Sequence, residues 1–170
     1  PGDWTIDNQC GPGEEAATSS WHGTQMAGLV AARANNGIGM AGTAHGVRVV
    51  PVRVLSACGG FDSDILAGML WAGGVSGQPV VNPNPARVIN VSLGSTGSCN
   101  AAYRDAVAQL VAAGVVVVAA AGNEEGLAVG VPANCPGAIA VAGLRHAGSK
   151  VGFSSLGPEV AISAPGGNCV

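Results

Sequence analysis

Charge is scarce in this 170-residue chain: Lys and Arg number 7, Asp and Glu 10, charged residues make 10% of the total and the net charge is −3. The cations stand singly, so there is no basic stripe to release counterions from a nucleic-acid backbone, which argues against nucleic acid as a partner. Long apolar runs are missing too. The longest, Val115 to Ala121, is far shorter than the roughly 20 residues a membrane helix needs. The five cysteines form no C-x-x-C pair, which speaks against a zinc or thioredoxin site. In a domain with so little charge they favour disulfides and an oxidising, extracellular compartment, and the odd number leaves one thiol over. Pro1-Gly2-Asp3-Trp4 carries no secretory signature and reads as an internal segment of something longer.

What remains is apolar and small. Hydrophobic residues make 48% of the chain, and a single domain of this length buries roughly 70% of its unfolded surface. Helix candidates are Gly23 to Ala34, Ser63 to Gly73 and Asn100 to Ala113, the last with Ala102, Ala106, Leu110 and Ala113 on one helical face. Strand candidates are Val47 to Leu55, Arg87 to Leu93, Val115 to Ala121, Ala138 to Gly143 and Val160 to Ser163. Their Val, Ile and Ala runs show little polar alternation, the pattern of parallel strands covered on both faces. The order predicts an α/β fold, a doubly wound and mostly parallel sheet flanked by helices, with its site at the carboxyl ends of the strands. The loops there are glycine-rich: Cys58-Gly59-Gly60, Gly94-Ser95-Thr96-Gly97 and Gly122-Asn123.

Two other motifs are set aside. Gly37 to Gly42 fits G-x-G-x-x-G and Asp62 lies 20 residues beyond Gly42, but the segment follows a helix and enters a strand, the reverse of a dinucleotide site. Gly152 to Gly157 places its second glycine one position late for a nucleophile elbow and reads as a structural turn.

His22-Gly23-Thr24 opens a helix of small residues, Asn35-Asn36 follows it, then come Ser92-Leu93-Gly94 and, closing an apolar run, Ala121-Gly122-Asn123. In that order these segments resemble the subtilisin-like serine peptidases from Trp21 to Gly167, with their HGTHVAG-type and AAAGN-type motifs. Gln25 stands where the family commonly has a second histidine. The resemblance implies that His22 is the general base and Asn123 the side-chain donor of the oxyanion hole. It implies that Ser92, Leu93 and Gly94 form one wall of the S1 pocket, Ala120, Ala121 and Gly122 the other, and Gly130 the floor. Gly59 and Gly60 match the edge that pairs with an extended polypeptide substrate. Ala34, Asn36, Ile38 and Met40 match a calcium loop whose oxygens suit a hard cation, so a structural Ca2+ is implied although the chemistry requires no cofactor.

The family's acid and nucleophile motifs are absent. Asp3 and Asp7 precede His22, yet neither has a strand before it or a glycine two places after it. No Gly-Thr-Ser-Met-Ala-type run follows Asn123. The reading is therefore a central part of one secreted serine endopeptidase domain, with His22 and Asn123 in this chain and partner segments on either side. On this reading the chain by itself is inactive. The alternative is a non-catalytic subtilisin-like pseudopeptidase or binding module.

Strand adjacency carries one more expectation. Cys58 follows the first candidate strand and Cys99 the second, which puts both at the carboxyl edge of the sheet and predicts a Cys58–Cys99 bridge. Cys135 precedes a strand and Cys169 follows the next, so they pair only if the loop after Gly166 folds back. Cys10 is expected to pair, if at all, with a residue outside the chain.

Overall fold

A computed structural model describes residues 2–44 and 46–167. The chain divides into two compact units, Pro1–Gly68 and Met69–Val170.

In the first unit the amino-terminal segment folds back on itself, Thr5 N–H donating to Ala17 O at 2.9 Å and Asn8 N–H to Glu14 O at 2.7 Å. It delivers the chain to α1, His22–Ala31. Trp21 turns the chain into the helix with a left-handed φ of 53°, and Ser20 Oγ accepts from His22 N–H at 3.3 Å. Loop 33–41 then doubles back, and Gly42, Thr43 and Ala44 donate their N–H groups to the carbonyls of Ala32, Leu29 and Val30, each at 2.9 Å. After that comes Val47 to Leu55, where the expectation of a strand is corrected. The segment joins no ladder among the described residues, and Val47 and Val49 are exposed. A β-pattern needs a paired neighbour to become a strand; among the described residues the bridge nearby is the local one between Ser56 and Gly59. The α2 helix, Asp62–Ala72, follows, and Gly68 in it lies against the side chains of Val52 and Val54.

The second unit is built on four strands, β1 (Val88–Val91), β2 (Val116–Ala120), β3 (Ala138–Leu144) and β4 (Val160–Pro165). They lie side by side in chain order and all three pairings are parallel, in registers such as Val88 with Val116 and Val117 with Ala138. Helix α3, Ala101–Ala112, is the crossover from β1 to β2. Asn100 starts it, its Oδ1 accepting Tyr103 N–H at 3.0 Å. The buried stripe is Tyr103, Ala106, Val107 and Leu110. That moves the face expected from Ala102 and Ala113, both exposed, because the bulk of Tyr103 and Val107 takes the core side.

The strands alternate more than their sequences suggest. Ile89, Val91, Val117, Ala119, Ala140 and Ala142 are buried, whereas Val88 is 59% and Val116 42% exposed. The expectation of strands covered on both faces is met on one face among the described residues, where α3 packs on β2.

The disulfide expectation is also corrected. Cys58 pairs with Cys10 and Cys99 with Cys135, each with Cα atoms 5.1 Å apart. The Cys58–Cys99 inference assumed that Val47 to Leu55 is the strand next to β1, and it is not a strand. Cys135 reaches Cys99 because the segment before β3 lies along the loop after β1, tied by an antiparallel bridge between Ser95 and Val131. Cys10 therefore pairs inside the chain, and Cys169 lies outside the described residues.

Candidate active site

At the carboxyl ends of β1 and β2 the backbone opens a cavity of about 100 Å³. Ser92, Leu93, Gly94 and Ser95 line one side, Ala120 to Glu124 the other, and Gly130 and Val131 close it. Two adjacent parallel strands that end together leave such a crevice between their outgoing loops. The structure thus brings Ser92, Leu93, Gly94, Ala120, Ala121, Gly122, Asn123 and Gly130 around one space.

Backbone pairing holds the walls. Ser95 N–H donates to Val131 O and Val131 N–H to Ser95 O, both at 3.0 Å, while Gly130 N–H donates to Ala121 O at 3.1 Å. At Gly130 a Cβ would meet the carbonyl oxygen of Ser95. The residue is glycine because two backbones touch there. Asn134 extends the frame, donating from Nδ2 to Gly97 O at 2.8 Å and to Val129 O at 2.9 Å. The Cys99–Cys135 bridge braces the same pair of loops.

Asn123 is exposed at the tip of the turn after β2. Beneath it Ser155 is wholly buried. Its Oγ accepts Glu124 N–H at 3.1 Å and donates to Glu124 Oε2 at 2.5 Å, and its N–H donates to Gly122 O at 3.0 Å. In the sequence the stretch around Ser155 reads as a plain turn. The available signal was a Ser-Ser pair set among Val151, Phe153 and Leu156.

The other candidates belong to the first unit. His22 is the first residue of α1, and the Gln25 side chain donates to Ser20 O at 2.8 Å over the same turn. Asp3 supports this entry: its Oδ1 accepts Ser20 N–H at 2.8 Å, and its Oδ2 accepts from the Ser20 hydroxyl. The Ser20 hydroxyl bond holds the Asp3 carboxyl below its ordinary value of 3.8. Asp7 accepts Ala16 N–H at 2.7 Å; both aspartates serve the fold of the amino-terminal segment. Gly59 and Gly60 sit in a tight loop, where Gly59 O accepts from Ser56 N–H at 2.7 Å and from Ser56 Oγ at 2.8 Å. Cys58 anchors that loop to Cys10.

Residues 33–41, which include Ala34, Asn36, Ile38 and Met40, surround a cavity of about 150 Å³. Asn35, Gly37 and Gly39 have φ of 59°, 69° and 61°, and Asn36 Oδ1 accepts Ile38 N–H at 3.1 Å. Among the described residues no three His, Cys, Asp or Glu side chains gather as metal ligands. The donors in this loop are neutral oxygens. They suit a hard cation in kind, but four fall short of the six to eight that calcium takes. No helix among the described residues is long and apolar enough to cross a membrane.

Comparison with known proteins places this architecture. An extracellular protease of Xanthomonas campestris pv. campestris is 52% identical over 168 residues, covering 97% of this chain and 29% of that protein. An extracellular basic protease of Dichelobacter nodosus is 42% identical over 174 residues, covering 98% of this chain and 29% of that protein. The chain therefore spans less than a third of these relatives. In three dimensions it matches a protease of Pseudoalteromonas arctica with a TM-score of 0.93 and 47% identity, over 100% of this chain and 50% of the other. The profile of the subtilase family matches residues 3–170, and the chain belongs to that family.

Proposed function

We propose that residues 1–170 are part of one peptidase domain of a secreted subtilisin-like serine endopeptidase, and that they supply its general base, its oxyanion-hole amide and most of its substrate groove. The observation that carries this reading is the cavity between Ser92–Gly94 and Ala120–Gly122 with Asn123 at its mouth. A P1 side chain enters that cavity, and the substrate backbone pairs with Ser92 to Gly94 and with Gly59 and Gly60 as an added strand. His22 takes the proton of a serine supplied from outside this chain and returns it to the leaving amine. The Asn123 amide donates to the carbonyl oxygen as it gains charge, and an acyl-enzyme forms and is hydrolysed.

Secretion is supported by the relatives' names as extracellular proteases and by two disulfides, which persist in oxidising compartments. We further propose that Ala34, Asn36, Ile38 and Met40 contribute oxygens to a structural Ca2+, the remaining ligands coming from elsewhere in the protein. Calcium then rigidifies the loop after α1 and takes no part in the chemistry.

The test is hydrolysis of casein by the complete protein and its His22→Ala variant. Loss of kcat by several orders of magnitude is expected, since the nucleophile loses its proton acceptor. A variant that keeps more than about a tenth of the wild-type kcat removes His22 from the mechanism. A complete protein that binds peptides in the groove but cleaves none is a pseudopeptidase.

A further inference from the structure

Both neighbours of Asn123 are tied to one buried residue. Ser155, 0% exposed, donates its N–H to Gly122 O at 3.0 Å. Its hydroxyl accepts the Glu124 N–H at 3.1 Å and donates to the Glu124 carboxylate at 2.5 Å. The fit leaves no slack: Gly122 has φ 118°, and a Cβ there would come within 2.8 Å of Ser155 Oγ.

The segment that presents Ser155 is itself fastened on both sides. Lys150 Nζ donates to the carbonyls of Val151 and Gly152 at 2.7 Å and of Ser154 at 3.2 Å. Ser154 Oγ accepts Gly143 N–H from β3 at 3.0 Å. Glu125 and Gly126 donate their N–H groups to Phe153 O and Ser154 O, each at 3.0 Å. A strut thus runs from β3 to the underside of the turn that carries Asn123.

We infer that Ser155 is a positioning residue for oxyanion stabilisation, acting through the Gly122–Glu124 turn and never touching substrate. The inference rests on the reading of Asn123 as the oxyanion donor. Such a donor is effective only when it already waits at hydrogen-bond distance from the place where charge develops. Asn123 is exposed, so water competes for its amide, and a turn free to rock would spend part of its time misaligned. By holding the N–H and carboxylate of Glu124 and the carbonyl of Gly122 together, Ser155 removes that freedom before substrate binds. Its loss therefore weakens an interaction made in the transition state and leaves ground-state binding nearly unchanged.

A double-mutant cycle in the complete peptidase tests this. Ser155→Ala, which removes both hydroxyl hydrogen bonds to Glu124 and keeps the N–H bond to Gly122 O, is expected to lower kcat about 10-fold, with KM changed less than about 2-fold. In the Asn123→Ala background the same substitution is expected to change kcat by less than about 2-fold, since the group it positions is gone. Losses that multiply, a wild-type kcat in Ser155→Ala, or an effect confined to KM would each overturn the inference and leave the role of Asn123 standing. A wild-type kcat in Asn123→Ala would remove both.

Discussion

Ser95 and Val131 exchange both of their backbone hydrogen bonds, each at 3.0 Å, and so join the loop leaving β1 to the segment entering β3. This pair closes the cavity that Ser92 to Gly94 and Ala120 to Gly122 flank. Its position explains the glycine beside it, since any side chain at Gly130 would run into the Ser95 carbonyl.

Gly130→Ala is accordingly expected to force the Ser95–Val131 pair apart and to cost about 1–3 kcal/mol, as overpacking against fixed backbone does. Urea unfolding of the wild type and variant measures it. In the complete peptidase the same variant should shift the P1 preference towards small residues, read from a peptide-library digest. An unchanged midpoint together with an unchanged P1 profile would contradict both the close approach and the pocket assignment.

Non-reducing peptide mapping should recover Cys10 joined to Cys58 and Cys99 joined to Cys135. The second bridge has a sequence separation of 36. By the chain-entropy argument its removal costs on the order of 3–4 kcal/mol. A Cys99→Ala/Cys135→Ala variant should therefore unfold at markedly lower urea, and equal midpoints would show that the Ser95–Val131 pairing suffices without the bridge.

The Asp3 carboxyl should titrate below its ordinary value because the Ser20 hydroxyl and N–H bind its ionised form. A depressed folded-state pKa means that this stabilisation is complete above the ordinary value of 3.8 and is lost as pH falls through the lower folded value. Acid thus loosens the segment leading into α1. Carboxyl chemical shifts followed against pH check this, and Ser20→Ala should move the Asp3 midpoint upward. A midpoint that does not move would assign the shift to another cause.

Asn100 caps α3 through Tyr103 N–H at 3.0 Å. Asn100→Ala should cost about 1 kcal/mol and Asn100→Gly only a few tenths, because glycine leaves the amide open to water. Thermal unfolding of the two variants distinguishes this from a packing role, in which the two would lose stability equally.

Strands β1 to β4 and helix α3 were legible because each rests on a local pattern: short runs of Val, Ile and Ala, and apolar residues at helical spacing. Ser92-Leu93-Gly94 and Ala120-Ala121-Gly122 were singled out by the resemblance to subtilisin-like peptidases; in the fold each is contiguous with the end of a strand, and the parallel pairing of β1 with β2 brings both to one cavity. His22 and Asn123 stood out through the segments around them.

Tertiary structure decided the rest. Val47 to Leu55 has the composition of a strand, but a strand exists only where a neighbour completes its hydrogen bonds, and none does among the described residues. Cysteine pairing turned on the same point, since connectivity depends on which loops meet and Cys58 meets the segment of Cys10. The role of Ser155 was not legible for the opposite reason: a serine in a loop is ordinarily exposed, and only the folded chain supplies three polar groups of Gly122 and Glu124 for it to satisfy while buried. Patterns that a segment expresses against its own core are written in its residues, whereas partners far along the chain are chosen by packing.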